Sequence, residues 1–272
     1  MHDILVTGAE GFLGKEVVLL LKKKKYSFVG VTRNKQSNSH ISCDLSKPSN
    51  VLSLLKNKKP KTIINLAATV NFQTDNPESL FPVNTLLPAL FANYCFENKA
   101  HFIQSSTINV HGFMHKSYNS HTELSPDTVY GHSKLLADNN ILSAGCDASI
   151  LRFGGIFGKN GPPHLGVNQA IGKALNGTPP SIVGSGKAKR NYIFVKDAAE
   201  VIVECIENIL IGIHYLGGEI KTIEQMLKDI CEILVPGNSP IYVDGNEAKD
   251  QIIKNDLDFK ITPFREAIAR FA

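Results

Sequence analysis

Tyr130-Gly131-His132-Ser133-Lys134 places a phenol and an ammonium four residues apart. On a helix that spacing puts both groups on one face, so the Tyr130 hydroxyl and the Lys134 ammonium can converge. A phenol with an ordinary pKa of about 10 is a poor acid or base at neutral pH, and a nearby cation lowers that pKa by favouring phenolate. A second candidate is Thr7-Gly8-Ala9-Glu10-Gly11-Phe12-Leu13-Gly14, with glycines spaced G-x-x-G-x-x-G. Such a loop lets backbone N–H groups and the positive end of a following helix approach a pyrophosphate without Cβ obstruction. The spacing differs from the G-x-G-x-x-G dinucleotide fingerprint by one inserted residue.

These groups need elements to hold them, and the first half of the chain alternates short β-branched runs with longer helical patterns. Asp3–Thr7, Phe28–Thr32, Thr62–Ala67, His101–Ser105 and Ser149–Phe153 read as strands, and Phe12–Lys24, Pro48–Asn57, Phe81–Asn98 and Asp127–Ser143 as helices. The strands are nearly unbroken apolar runs, as in parallel sheets covered on both faces. The pattern predicts an α/β fold with a doubly wound parallel sheet. It sets the glycine loop after the first strand, and Tyr130 on the helix downstream of Gln104-Ser105-Ser106-Thr107. After Phe153 glycines and prolines crowd one loop, and the later elements are shorter: helices over Val167–Leu175, Ala198–Ile209 and Ile223–Leu234, strands over Ser181–Val183, Tyr192–Val195, Ile213–Leu216 and Ile241–Val243. This predicts a smaller α/β C-terminal lobe, with Met1–Gly158 carrying cofactor and catalysis and Lys159–Ala272 the substrate.

With these pieces in this order, the chain resembles the extended short-chain dehydrogenase/reductases, and within them the sugar-nucleotide-modifying NAD-dependent epimerase/dehydratase family. Thr7–Gly14 matches the family's T-G-x-x-G-F-x-G opening, and Asn65-Leu66-Ala67-Ala68 its H-L-A-A segment with Asn in place of His. Val83-Asn84 matches its V-N pair, Ser105–Gly112 resembles its S-S-[ST]-x-x-V-Y-G with His111 in place of Tyr, and Leu151-Arg152-Phe153 and Gly184–Asp197 follow its later segments. The resemblance implies a Rossmann cofactor domain in which Gly8, Glu10, Gly11, Phe12, Leu13, Gly14, Leu66, Ala67, Ala68 and Asn84 bind the dinucleotide. Cys43-Asp44-Leu45 matches the acidic position after the third strand, which implies that Asp44, beside Leu45, holds the adenine amino group.

The resemblance also implies a catalytic Thr107–Tyr130–Lys134 triad. Tyr130 would exchange a proton with a sugar hydroxyl or carbonyl, Thr107 would hydrogen-bond the same oxygen, and Lys134 would hold the nicotinamide ribose and depress the tyrosine pKa. Thr107 and Asn109 would contact substrate, and Arg190 would pair with its diphosphate, a role suited to a planar bidentate cation. Ile108 and Asn109 stand where family dehydratases carry an acidic pair, which disfavours dehydration, and no Cys stands there as the base with which family epimerase–reductases invert carbons next to the ketone. Reduction of a 4-keto sugar or inversion at C4 remain. A non-catalytic dinucleotide-binding sensor is the rival of another class, and retention of the triad argues against it. The second strand ends Thr32-Arg33-Asn34 with no acid for a ribose 2′-OH, which leans the choice between NAD and NADP toward NADP, with Thr32 and Arg33 on its 2′-phosphate. The family also implies a homodimer through the Phe81–Asn98 and Asp127–Ser143 helices, where an apolar stripe includes Leu86, Leu90 and Tyr94.

Composition sets the limits around this reading. At 272 residues with 43% hydrophobic and 20% charged content, the chain has an ordinary globular make-up. The net charge of +4 is concentrated in Lys22–Lys25 after an apolar run, the signature of a solvated helix end. No aromatics interleave with basic residues, so nucleic acid is not an expected partner. Five scattered cysteines without a C-x-x-C pair point to a reducing, cytoplasmic setting. No apolar run nears the roughly 18 residues of a membrane span. His111, His115 and His121 lack the carboxylate or Cys that would complete a metal set, and no metal is expected.

Overall fold

The computed structural model describes residues 3–70 and 76–272. Its centre is a seven-stranded sheet made of β1 (Ile4–Thr7), β2 (Phe28–Thr32), β3 (Ile41–Ser42), β4 (Thr62–Asn65), β5 (His101–Thr107), β6 (Ala148–Phe153) and β7 (Gly212–Leu216). The spatial order is β7-β6-β5-β4-β1-β2-β3. The ladders β5–β4, β4–β1, β1–β2 and β2–β3 are all parallel. The order reverses at β1, which lies between β2 and β4, so the connections leave it in opposite directions. At such a switch point a crevice opens beyond the carboxyl ends of the strands. The strands are Val, Ile and Leu runs buried on both faces, as the four buried residues of β1 and the six of β6 illustrate.

Helices α1 (Phe12–Lys23), α2 (Pro48–Lys58), α3 (Leu87–Asn98) and α4 (Val129–Ala144) connect these strands. The core they enclose includes Val31, Ile63, Leu87, Phe91, Phe102 and Ile150, with Phe91 edge-on to Phe102 at 6.0 Å between ring centres. The single helix expected over Phe81–Asn98 is instead a π-helical turn, Pro82–Leu86, running into α3. Pro88 has no N–H to give the carbonyl four residues back. The register widens just before it, and Leu87 N–H bonds the Pro82 carbonyl. Strand β3 is two residues long, too short to leave a periodic signal.

The chain forms two compact units. One comprises Met1–Phe113, Glu123–Arg152 and Ala199–His214, and the other Met114–Thr122, Phe153–Ala198 and Tyr215–Ala272. The second unit contains α5 (Gly166–Leu175), α7 (Ile223–Leu234) and α8 (Phe264–Ala269), while α6 (Val195–Asn208) begins in it and ends in the first. Its strands pair only in short ladders: Ile156–Phe157 with Ile193–Phe194, Ser181–Val183 with Ile241–Val243, Lys189–Arg190 with Lys221–Thr222, and Ser117–Tyr118 with Ile252–Ile253. Helix α7 starts on a reciprocal Thr222–Gln225 capping box, which fixes where the helix begins. Helix α6 starts at Val195, three residues before the expected Ala198. Its Asp197 carboxylate takes the Thr262 N–H and hydroxyl, each at 2.7 Å.

Candidate active site

The loop after β1 turns at Gly8, whose φ of +65° lies in the left-handed region. A Cβ there would stand 2.9 Å from the Leu66 carbonyl carbon and oxygen, so only glycine lets the loop lie against the end of β4. Gly11 caps α1 with no side-chain hydrogen bond, and the helix has no acid in its first turn. The positive end of α1, begun by Phe12, Leu13 and Gly14, is therefore left for an external anion. Gly8, Glu10, Gly11, Thr32, Arg33, Leu45, Leu66, Ala67 and Ala68 line one cavity of about 350 Å³. Its open glycine cradle and uncapped helix end fit the pyrophosphate of a dinucleotide.

Of the residues given to cofactor binding from sequence, Phe12, Leu13, Gly14, Tyr130, Lys134, Asp44 and Asn84 do not line that cavity. Asp44 Oδ1 accepts the Ser46 hydroxyl at 2.6 Å and its N–H at 3.1 Å, which shapes the entry to α2. Asn84 is buried, accepts the Thr69 N–H at 2.8 Å, and donates to the Thr69 carbonyl at 2.9 Å and Ser133 Oγ at 3.0 Å. Its amide ties the loop after β4 to α4.

A buried amide chain joins three strand ends. Thr7 Oγ1 donates to Asn65 Oδ1 at 2.5 Å and accepts the Leu66 and Ala67 N–H groups at 3.2 Å each. Asn65 Nδ2 donates to Gln104 Oε1 at 2.8 Å, and Gln104 Nε2 to the Ser105 carbonyl at 2.9 Å. That carbonyl also receives Lys134 Nζ at 2.6 Å. The glycine loop and the candidate catalytic lysine are thus connected through polar side chains and the Ser105 carbonyl.

Thr107 ends β5 and caps the 3-10 turn Ile108–His111, its hydroxyl accepting the Asn109 N–H at 3.2 Å. Thr128 caps α4 by accepting the Gly131 N–H at 3.0 Å, so Tyr130 stands in the helix's first turn. Gly131 is what lets the two turns touch, because a Cβ there would sit 2.6 Å from the Asn109 carbonyl oxygen. Tyr130, Lys134 and Asp138 follow at four-residue intervals on one face of α4. Asp138 accepts Ser106 Oγ at 2.8 Å and Arg152 Nε at 3.0 Å.

The electrostatics correct one expectation. Burial pushes the Tyr130 phenol up to about 12, and the Asp138 carboxylate adds to the rise. The predicted depression by Lys134 is absent because burial also pulls Lys134 down to about 8, partly offset by Asp138. Asp138 is itself raised, first by burial, against the opposing pull of Arg152, Ser106 and Lys134. Sequence reading passed over Asp138, although an acid two helical turns beyond Tyr130 is the signal that marks it.

In the second unit, Arg190 donates to the Lys189 and Lys249 carbonyls and hydrogen-bonds Tyr192, whose phenol is raised by burial and lowered by that arginine. Tyr192, Val167, Ala170, Pro180 and Met226 line a cavity of about 260 Å³. The Tyr192 ring also fills the space beside Gly155, where a Cβ would lie 2.6 Å from it. Tyr192 is a second residue that sequence reading missed. His111 Nδ1 lies 2.8 Å from the Glu123 carbonyl oxygen, and no group of three metal-ligating side chains occurs among the described residues.

Comparison with known proteins places this geometry. The model of the NAD dependent epimerase/dehydratase family matches residues 4–216. A GDP-6-deoxy-D-talose 4-dehydrogenase of Aggregatibacter actinomycetemcomitans is 26% identical over 246 residues, 85% of this chain and 79% of the relative. A dTDP-4-dehydrorhamnose reductase of Mycolicibacterium smegmatis is 27% identical over 158 residues, 57% of this chain and 46% of the relative. Among solved structures, UDP-glucose 4-epimerase of Thermotoga maritima with UDP-glucose superposes with a TM-score of 0.84 at 19% identity, covering 98% of this chain and 96% of that one.

Proposed function

Because the chain belongs to the NAD dependent epimerase/dehydratase family, we propose that it reduces the 4-keto group of a nucleoside-diphosphate sugar, with Tyr130 as the proton donor. The observation that carries this reading is the meeting of the Thr107 turn with the first turn of α4, made possible by Gly131. Tyr130 donates its proton to the developing alkoxide, and a phenol held near 12 is fully protonated at neutral pH, as a donor must be. Thr107 hydrogen-bonds the same oxygen. Lys134 holds the nicotinamide ribose. A dinucleotide in the cavity at the glycine loop supplies the hydride when bound.

Ile108 is buried and apolar and Asn109 carries no charge, so no acid follows Thr107 to drive loss of water. The reading retains Arg190 as the partner of the substrate's diphosphate. The curated relatives named for chemistry at carbon 4, a 4-dehydrogenase and a 4-dehydro-sugar reductase, support the choice of carbon. No helix among the described residues is long and apolar enough to cross a membrane. The reading includes a cytoplasmic setting, in keeping with five free thiols, and a homodimer. Of the expected dimer stripe, Leu90 and Tyr94 pack against the sheet core. Leu86, Phe96, Leu136 and Leu142 are the exposed apolar residues around α3 and α4.

Inversion at C4 is the second reading, favoured by the same observation, because one proton-transfer group and one hydride carrier suffice for it. The deciding experiment incubates the protein with UDP-, GDP- and dTDP-linked 4-keto sugars and NADH or NADPH, and separately with the corresponding 4-hydroxy sugar nucleotides without added cofactor. Stoichiometric loss of reduced cofactor supports the reductase. Interconversion of C4 epimers without net consumption, with dinucleotide retained by the protein, moves the assignment to an epimerase.

A further inference from the structure

We infer that Glu10 sets the dinucleotide preference of this protein, turning the adenosine end of the cavity toward a free ribose diol and so toward NAD(H) over NADP(H). The inference rests on the reading of that cavity as the dinucleotide site and goes beyond it to one residue's role. Strand β2 ends without an acid, the feature that leans a sequence reading toward NADP. The fold supplies the missing carboxylate from elsewhere: Glu10, in the glycine loop, accepts Thr32 Oγ1 at 3.0 Å. Glu10, Thr32 and Arg33 line the same cavity.

This contact changes what Thr32 and Arg33 can do. The Thr32 hydroxyl gives its proton to Glu10 and accepts the Asn34 N–H at 3.1 Å, so no proton remains on it for a phosphate oxygen. Arg33 has the Asp44 carboxylate in electrostatic range. Glu10 is held below the usual carboxylate range, first by the Ser37 hydroxyl and further by Thr32, Asn34 and His40, against an opposing effect of burial second in size only to that of Ser37. It therefore meets a ligand as an anion. A ribose 2′-OH can donate to such an oxygen, whereas a 2′-phosphate brings like charge against it. Removing the Glu10 charge would leave Arg33 as a cation lining the same cavity.

The test measures Kd by calorimetry for NADH, NADPH, ADP-ribose and 2′-phospho-ADP-ribose, with wild type and Glu10→Gln, after circular dichroism has verified both folds. The Glu10→Gln side chain keeps an oxygen for Thr32 Oγ1 and loses only the charge. Wild type is expected to bind NADH at least about tenfold tighter than NADPH, and the ratio in Glu10→Gln is expected to fall about tenfold, through a gain in NADPH and 2′-phospho-ADP-ribose. Equal binding of both by wild type, or a preference unchanged in Glu10→Gln, overturns the inference while leaving the site in place. Binding of no dinucleotide overturns the reading of the cavity and the inference with it.

Discussion

Arg152 Nε donates to Asp138 Oδ2 over 3.0 Å in a place where the two side chains are 3% and 0% exposed. Breaking such a pair from one side leaves a buried charge unmatched, at a cost of about 3–5 kcal/mol. Asp138→Asn is expected to lose stability of that order in urea unfolding. It should also remove the charge that helps to hold Tyr130 up, so the alkaline limb of the activity profile should move to lower pH. A stability loss with an unmoved alkaline limb would reduce Asp138 to a structural part.

Lys134 titrates near 8 in the free protein, and its charged form is the one that can hold a ribose hydroxyl. Dinucleotide affinity should therefore be constant below about pH 8 and fall above it, by up to about tenfold per unit. The folded state binds fewer protons than the unfolded chain between about 8 and the ordinary lysine value of 10.5, so stability should rise with pH across that window. Lys134→Met should flatten both curves. Calorimetric titrations from pH 6.5 to 9.5 make the check, and an affinity that does not change over that range would contradict the assigned role.

Tyr130→Phe removes the proton donor but keeps the ring. A kcat lower by about 10²–10⁴ is expected with dinucleotide affinity nearly unchanged. Thr107→Val should cost about 10²-fold in kcat. Steady-state kinetics beside direct binding separates the two quantities, and a Tyr130→Phe enzyme of normal kcat would remove the phenol from the mechanism.

Gly131→Ala adds a methyl group that would sit 2.6 Å from the Asn109 carbonyl oxygen. The first turn of α4 must then back away from the Thr107 turn, and near-attack geometry tolerates little such displacement. Activity is expected to fall at least about tenfold while dinucleotide binding, carried mainly by the glycine-loop cavity, changes less. Parallel loss of both would point to general unfolding.

The exposed Leu86, Phe96, Leu136 and Leu142 predict that sedimentation velocity will find a dimer, and that Phe96→Glu with Leu136→Glu will yield a monomer. Apolar residues exposed on neighbouring helices are a common mark of a covered face. A wild-type monomer at tens of micromolar would refute the pairing.

Much of this was readable from the chain. The β1–loop–α1 unit and the Tyr130–Lys134 face follow from local patterns of period two and about four, and α7 was located to the residue. What escaped depends on distant parts of the chain. Glu10 gains its meaning from Thr32, twenty-two positions away, and Asp138 from Ser106 and Arg152, thirty-two and fourteen away. The π-turn before α3 reflects a missing N–H at Pro88, whose effect falls on the residues preceding it. In the second unit the strands Ser181–Val183 and Ile241–Val243 were legible to the residue, whereas Ser117–Tyr118, Ile156–Phe157, Lys189–Arg190, Lys221–Thr222 and Ile252–Ile253 are two residues each, below the length at which alternation can be recognised.

The chain from Thr7 through Asn65 to Gln104 has one more consequence. Where relatives of the resembling pattern carry histidine at the start of H-L-A-A, this chain has Asn65, and none of the three side chains gains or loses a proton at ordinary pH. The tie between glycine loop and β5 is therefore the same in acid as in alkali. Within this connected set, the titrating groups stand on α4, in Tyr130, Lys134 and Asp138, and the Thr7–Asn65–Gln104 tie serves as an invariant reference against which their titration can be read.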